Sequence, residues 1–174
     1  LLKGNKGSVY EGGYRVPAIA WMPGRIPEVT TTALASTLDF FPTLVSLAGG
    51  VYDKNSLDGV DIRKTFFENS NVRTDIHYYR QDTLIALRHK KWKMYIKDPN
   101  PWDDGPTQKD MPLLYNVEQD PSEKYDIAKS NQKIISMLED ISLDHIQSIK
   151  KTPSQYEQIL PSYQTAYDEY NKNK

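Results

Sequence analysis

The sequence predicts an α/β fold: the end of an α/β domain, followed by a small C-terminal subdomain in which a helix packs on an antiparallel sheet. Three observations carry this expectation. The apolar run Val16-Pro17-Ala18-Ile19-Ala20-Trp21-Met22 stops at Pro23-Gly24, the pattern of a strand buried on both faces. A helical stripe follows at Phe41, Leu44, Val45 and Ala48. Beyond residue 75 come short segments rich in aromatic and β-branched residues, then an amphipathic helix.

In chain order, residues 1–14 form a polar loop whose closely spaced glycines, Gly4, Gly7, Gly12 and Gly13, allow positive φ or close backbone approach. Pro17 suits only the start or edge of the strand that follows. Asp39 is placed to cap a helix, Pro42 is tolerated in its first turn, and Gly49 or Gly50 ends it. Ile76–Arg80, Thr83–Arg88 and Trp92–Lys97 read as strands, the last two joined as a hairpin through His89-Lys90. In the third, Trp92, Met94 and Ile96 share one face, and Lys91, Lys93, Tyr95 and Lys97 share the other. A long loop is expected over 98–112, a further strand over Leu113–Asn116, and a helix over 131–149 marked by Ile134, Ile135, Leu138, Ile141, Ile146 and Ile149. The expected division is therefore 1–70 for the end of the α/β domain, 71–150 for the sheet-and-helix subdomain, and 151–174 for a Tyr/Gln-rich tail with partial order at best.

Composition narrows the function classes. With 22 basic and 23 acidic residues the net charge is -1, so nothing in the balance points to nucleic acid or an anionic membrane as partner. There is no cysteine, which removes disulfides, thiolate metal sites and a cysteine nucleophile from this chain. No apolar run approaches the roughly 20 residues that span a bilayer. The abrupt start in a Gly/Lys loop, with neither Met nor a signal pattern, reads as part of something longer.

The densest candidate for chemistry is Gly4-Asn5-Lys6-Gly7-Ser8-Val9-Tyr10-Glu11-Gly12-Gly13-Tyr14-Arg15-Val16-Pro17. A lysine between glycines offers an ammonium and backbone N–H groups to an oxyanion. The spacing is not that of a Walker A loop. Glu11 and Arg15, four residues apart, are read as holding the loop by pairing with each other or with backbone. His89 and His145 lack any partner spacing and are read as surface residues. Of the adjacent Tyr78 and Tyr79, one is expected to face the core.

The run from Gly4 to Pro17 resembles a signature stretch of the type I sulfatases, in the alkaline-phosphatase superfamily. Trp21-Met22-Pro23-Gly24, Leu38-Asp39-Phe40-Phe41-Pro42-Thr43-Leu44 with Ala48-Gly49, and Leu57-Asp58-Gly59-Val60-Asp61 continue the likeness in order. Tyr78-Tyr79-Arg80 with Asp82-Thr83-Leu84, and Leu114-Tyr115-Asn116 with Asp120-Pro121-Ser122-Glu123, look like the C-terminal subdomain of the arylsulfatase A and N-acetylgalactosamine-6-sulfatase group. The likeness covers about residues 1–130, and its collinear order makes it far more specific than any one motif.

The resemblance implies an alkaline-phosphatase-like α/β domain end and the hydrolysis of sulfate esters of sugars or aryl groups. It makes Lys6 the lysine that contacts sulfate, a catalytic role suited to a fixed ammonium. Arg80 is expected to line the substrate pocket, with His77 and Asp82 as further substrate-binding candidates. It implies Ca²⁺ and a formylglycine nucleophile in the full-length enzyme, and a periplasmic or secreted location. Here the sequence departs from the pattern. No serine lies in a [Cys/Ser]-x-Pro-x-Arg motif, and the Asp-Asn-Gly expected ahead of Gly4 is absent, so no metal ligand is assigned in this chain. The chain alone is expected to be inactive, its partner being the N-terminal portion of the same enzyme, as a missing segment or a separate chain. Two rival readings are a phosphodiesterase or phosphonate hydrolase of the same superfamily, and a non-catalytic module that binds sulfated glycans.

Overall fold

A computed structural model describes residues 1–99 and 112–149. Most of the loop expected over 98–112, and the tail expected over 151–174, lie outside them. The chain divides into a unit over Leu1–Glu139 and a second from Asp140 onward.

The sheet is built as its alternation requires. Strands β1 (Asp75–Arg80), β2 (Thr83–His89), β3 (Trp92–Tyr95) and β4 (Leu113–Asn116) pair antiparallel in the order β1-β2-β3-β4. The β2–β3 turn is Lys90-Lys91, one residue later than expected, with Lys90 in the left-handed region at φ 52°. A bulge between Tyr78 and Tyr79 leaves Ile85 unmatched opposite them. Tyr78 goes into the core and Tyr79 stays half-buried, so one of the adjacent pair faces inward.

Both faces of the sheet are covered. On one face Leu87, Met94 and Leu114 sit across from one another and are fully buried, each contributing roughly 1.5–3 kcal/mol. On the other, Tyr78, Ala86, Tyr95 and Tyr115 form a cluster with Val9 of the N-terminal segment. Lys93, on this second face, is fully buried.

Four α-helices occur among the described residues: α1 (Glu11–Tyr14), α2 (Phe40–Leu47), α3 (Arg63–Glu68) and α4 (Gln132–Ser148). The end of α2 follows its glycine signal. Gly49 takes φ 76°, its N–H reaches the Ser46 carbonyl (3.2 Å), and the Gly50 N–H reaches the Val45 carbonyl (2.9 Å). In α4, Ile135 and Leu138 are buried, as the apolar periodicity requires. Helix α3 went unforeseen; Asp61 starts it by accepting from the Arg63 N–H at 3.0 Å.

Three expectations are corrected. Residues 16–22 form no strand: Val16, Ile19 and Trp21 are 73%, 95% and 82% exposed, because no described segment pairs with them. The stripe of α2 is likewise uncovered at Phe41 and Leu44, and the helix instead buries Pro42 and Thr43. Asp39 does not cap α2. It closes a capping box with Ser36 one turn earlier, and its carboxylate turns inward to Arg73.

The buried tyrosines set an alkaline limit. Burial first, then nearby carboxylates (Glu11 for Tyr78, Glu123 for Tyr95, Asp126 for Tyr115), pushes these phenols far above their ordinary value. The unfolded chain loses those protons above pH about 10, whereas the folded chain keeps them. Their contribution is therefore complete below pH about 10 and falls above it, by up to about 1.4 kcal/mol per pH unit for each tyrosine. Urea midpoints measured from pH 8 to 11 should drop steeply past 10, with these phenols ionising only as the protein unfolds. Their titration near 10 in the folded protein would contradict this packing.

Candidate functional site

The Lys6 loop is shaped locally. Gly4 and Gly7 take φ 76° and 98°, and the Asn5 carbonyl accepts from the Ser8 N–H (3.1 Å) and hydroxyl (2.9 Å). Lys6 stands exposed at the tip of this turn. The loop then lies directly on α1. A β-carbon on Gly12 would come within 2.5 Å of the Lys3 and Gly4 carbonyl oxygens, and one on Gly13 within 2.1 Å of the Ser8 carbonyl oxygen. Adjacent glycines are what let the two backbones touch.

The loop is tied on both sides of Lys6, by charged groups of the sheet after it and by Lys3 before it. After it, the Val9 carbonyl accepts from the Lys93 ammonium at 2.8 Å and the Tyr95 hydroxyl at 3.3 Å. Glu11 is 1% exposed, and its carboxylate takes Lys93 at 2.9 Å and Arg88 at 3.4 Å, with Arg15 at 3.9 Å. The Glu11 N–H donates to the Glu123 carboxylate at 2.8 Å. Before Lys6, the Lys3 ammonium lies 4.3 Å over the Tyr10 ring and donates to the Glu123 carbonyl at 3.4 Å.

Glu123 completes the cluster from beyond β4. Asp120 builds the turn that aims it, accepting from the Lys124 and Tyr125 N–H groups at 2.7 and 2.9 Å. Burial would raise the Asp120 carboxyl, but those N–H groups and the Ser122 hydroxyl outweigh it and hold it below its ordinary value. Glu123 itself sits at φ 50°, a conformation that costs a non-glycine residue about 1 kcal/mol. Its fully buried carboxylate accepts from the Tyr95 hydroxyl and lies 3.3 Å from Lys93. Lys93 also lies 4.6 Å from the Tyr78 ring centre. Two buried carboxylates thus face two buried cations, the balance that makes burying charge tolerable.

Arg80 ends β1, and its guanidinium donates to the Pro99 carbonyl at 3.2 Å; the Val9 N–H donates to the same oxygen at 3.0 Å. One carbonyl therefore joins Arg80 to the segment that follows Lys6. Asp82 is exposed in the β1–β2 turn, where the Thr83 hydroxyl donates to it at 3.4 Å. His77 pairs with Leu87, on the face of the sheet away from Val9, so the fold does not bring it to the loop. His89 is not a plain surface residue: the register sets it across from Asp75, and Nδ1 lies 2.6 Å from that carboxylate.

Glu11–Arg15 pairing was legible in the sequence, but Arg88, Lys93 and Glu123 were not. The available signal was a lysine flanked by core residues in a strand, with an unexplained glutamate in the Asp120–Glu123 block. A cavity of about 360 Å³, lined by Arg73, Arg88, Lys90, Lys91, Trp92 and Glu118 among others, holds none of the expected site residues. Its Arg73 and Arg88 are already committed to Asp39 and Glu11, so the Lys6 loop is the better site. Among the described residues no group of three His, Cys, Asp or Glu side chains is placed to hold a metal, and there is no cysteine to become a formylglycine.

A protein with this antiparallel sheet and lysine loop falls in a defined class. Residues 71–170 match the model of the C-terminal region of aryl-sulfatase, and residues 1–51 match the sulfatase model. The chain belongs to the sulfatase family. It is 34% identical over 161 residues to arylsulfatase G of Rattus norvegicus, spanning 83% of this chain and 31% of that protein. It is 29% identical over 160 residues to the N-acetylgalactosamine-6-sulfatase of Canis lupus familiaris, spanning 79% and 31%. The fold resembles that of the PsFucS1 sulfatase from Pseudoalteromonas sp., with TM-score 0.73 and 23% identity over 88% of this chain and 34% of that one. The chain thus spans about a third of the length of the relatives it matches.

Proposed function

We propose that this chain is the C-terminal portion of a sulfuric ester hydrolase acting on sulfated sugars or aryl sulfates, with Lys6 contacting the sulfate. The observation that carries the proposal is the Lys6 loop: an exposed ammonium on a turn whose two flanks are tied to a buried ionic cluster. A loop tied this way fixes the backbone from which the Lys6 ammonium reaches, where it would neutralise charge on the transferring sulfuryl group. Arg80, joined to the same segment through Pro99, is proposed to grip a sulfate or carboxylate of the substrate; His77 and Asp82 remain candidates at greater remove. Residues 1–70 then supply the sulfate contact, and residues 71–150 supply its support and Arg80.

The nucleophile and Ca²⁺ ligands are assigned to the N-terminal portion of the enzyme. Two observations support that partner. The relatives are about three times longer, and large apolar side chains, Val16, Ile19, Trp21, Phe41 and Leu44, stand exposed in the first third of this chain. A sugar substrate is supported by the name of the N-acetylgalactosamine-6-sulfatase relative. Periplasmic or secreted location follows from the same family reading; no described helix is long and apolar enough to cross a membrane.

The test is a parallel assay of the full-length protein on an aryl sulfate and an aryl phosphate diester. Sulfate turnover should exceed diester turnover. Far faster diester hydrolysis would move the protein to the phosphodiesterase branch, and sulfated-glycan binding without hydrolysis would make it a binding module.

A further inference from the structure

We infer that the buried cluster of Lys93, Glu11, Glu123 and Tyr95 is a positioning device for Lys6, so that the antiparallel sheet sets the sulfate contact without touching substrate. This rests on the reading of Lys6 given above.

Four observations lead to it. Lys93 is fully buried and spends its ammonium on the Val9 carbonyl (2.8 Å) and the Glu11 carboxylate (2.9 Å), both in the segment carrying Lys6. The Tyr95 hydroxyl reaches the same Val9 carbonyl at 3.3 Å. Glu123 holds the loop from both directions, taking the Glu11 N–H on its carboxylate and the Lys3 ammonium on its carbonyl. It does so from a left-handed backbone, which a glycine would adopt more easily but without supplying the carboxylate. The clamps thus fall three residues before Lys6 and three to five after it. A turn opened by two positive-φ glycines has little stiffness of its own, so its position is set where it is tied.

The consequence is geometric. A shift of about 1 Å at a catalytic group costs on the order of 10²-fold in rate. Loosening the clamp should therefore lower kcat through Lys6. A role in stability alone would lower the folded fraction and leave the turnover of folded molecules unchanged.

The experiment is a cycle in the full-length enzyme on an aryl sulfate, with rates normalised to folded protein. Lys93→Met should lower kcat by about 10–100-fold, with KM changing far less. Tyr95→Phe keeps the volume and all three other members of the cluster. It should lower kcat a few-fold, and it carries the test if Lys93→Met does not fold. In a Lys6→Ala background both effects should shrink to about twofold or less, because groups acting as one unit are not additive. Wild-type kcat in folded Lys93→Met and Tyr95→Phe would overturn the inference, as would losses that multiply in full on Lys6→Ala. An unchanged kcat in Lys6→Ala itself would overturn the reading of Lys6, and the positioning inference with it.

Discussion

Replacing Lys6 by alanine in the full-length enzyme should lower kcat for an aryl sulfate by about 10²–10³-fold, the range seen when one preorganised group facing developing charge is removed. The size follows from the charge on Lys6 and from how the loop beneath it is fixed. Lys6 is exposed, so it contributes nothing to the core, whereas the loop beneath it is fixed by three ties to buried charges. The loss should fall on kcat and kcat/KM together, because the contact strengthens as charge builds on the sulfuryl oxygens. Stability should change by less than about 0.5 kcal/mol, as for other surface substitutions. Lys6→Arg should recover only part of the rate, since a planar fork cannot occupy the place of a compact ammonium. Steady-state kinetics beside thermal melting separates the effects; a raised KM with unchanged kcat would make Lys6 a binding group only.

Much of the fold was legible because the sheet is local. Strands β1 to β4 follow one another as short segments rich in aromatic and β-branched residues, the third alternating at the strand period, so each is legible within a residue or two. Likewise α4 announced itself by its isoleucine spacing. What sequence could not supply was the identity of the covering surfaces. Residues 16–22 and the stripe of α2 are apolar, which says they suit burial, but burial needs a partner that the described residues do not provide. Conversely, nothing local marks Lys93 for burial, since lysine is rarely buried; it is buried because Glu11 and Glu123, 82 and 30 residues away in sequence, bring matching charge to it. The candidate site divides in the same way. Lys6 and Arg80 are candidates by motif order alone, whereas the Pro99 carbonyl that joins Arg80 to Val9 exists only once the chain is folded.

Asp39 shows how far a local reading can differ from a folded one in magnitude. As a helix cap, its replacement by alanine would cost about 1 kcal/mol. In the structure the carboxylate is fully buried, accepts from the Ser36 N–H at 2.8 Å and the Val60 N–H at 2.9 Å, and binds the Arg73 guanidinium through Nε and Nη2. Arg73 in turn donates to the Asp75 carbonyl at 3.0 Å and the Asp58 carbonyl at 2.9 Å. One ion pair thus ties the start of α2, the Leu57–Asp61 turn and the entry to β1. That turn is seated closely: a β-carbon on Gly59 would lie 2.0 Å from the Leu38 carbonyl oxygen. Asp39→Ala strands a nearly buried guanidinium and two N–H groups, so the expected cost is about 3–5 kcal/mol, several times that of a lost cap. Asp39→Asn keeps an acceptor but not the charge and should fall between the two. Removing both charges with Asp39→Ala and Arg73→Met should cost less than the sum of the single changes, because no unpaired charge is left. Urea unfolding of the four variants beside the parent measures this directly. A cost near 1 kcal/mol for Asp39→Ala, with full additivity in the double variant, would return Asp39 to the role of a surface cap.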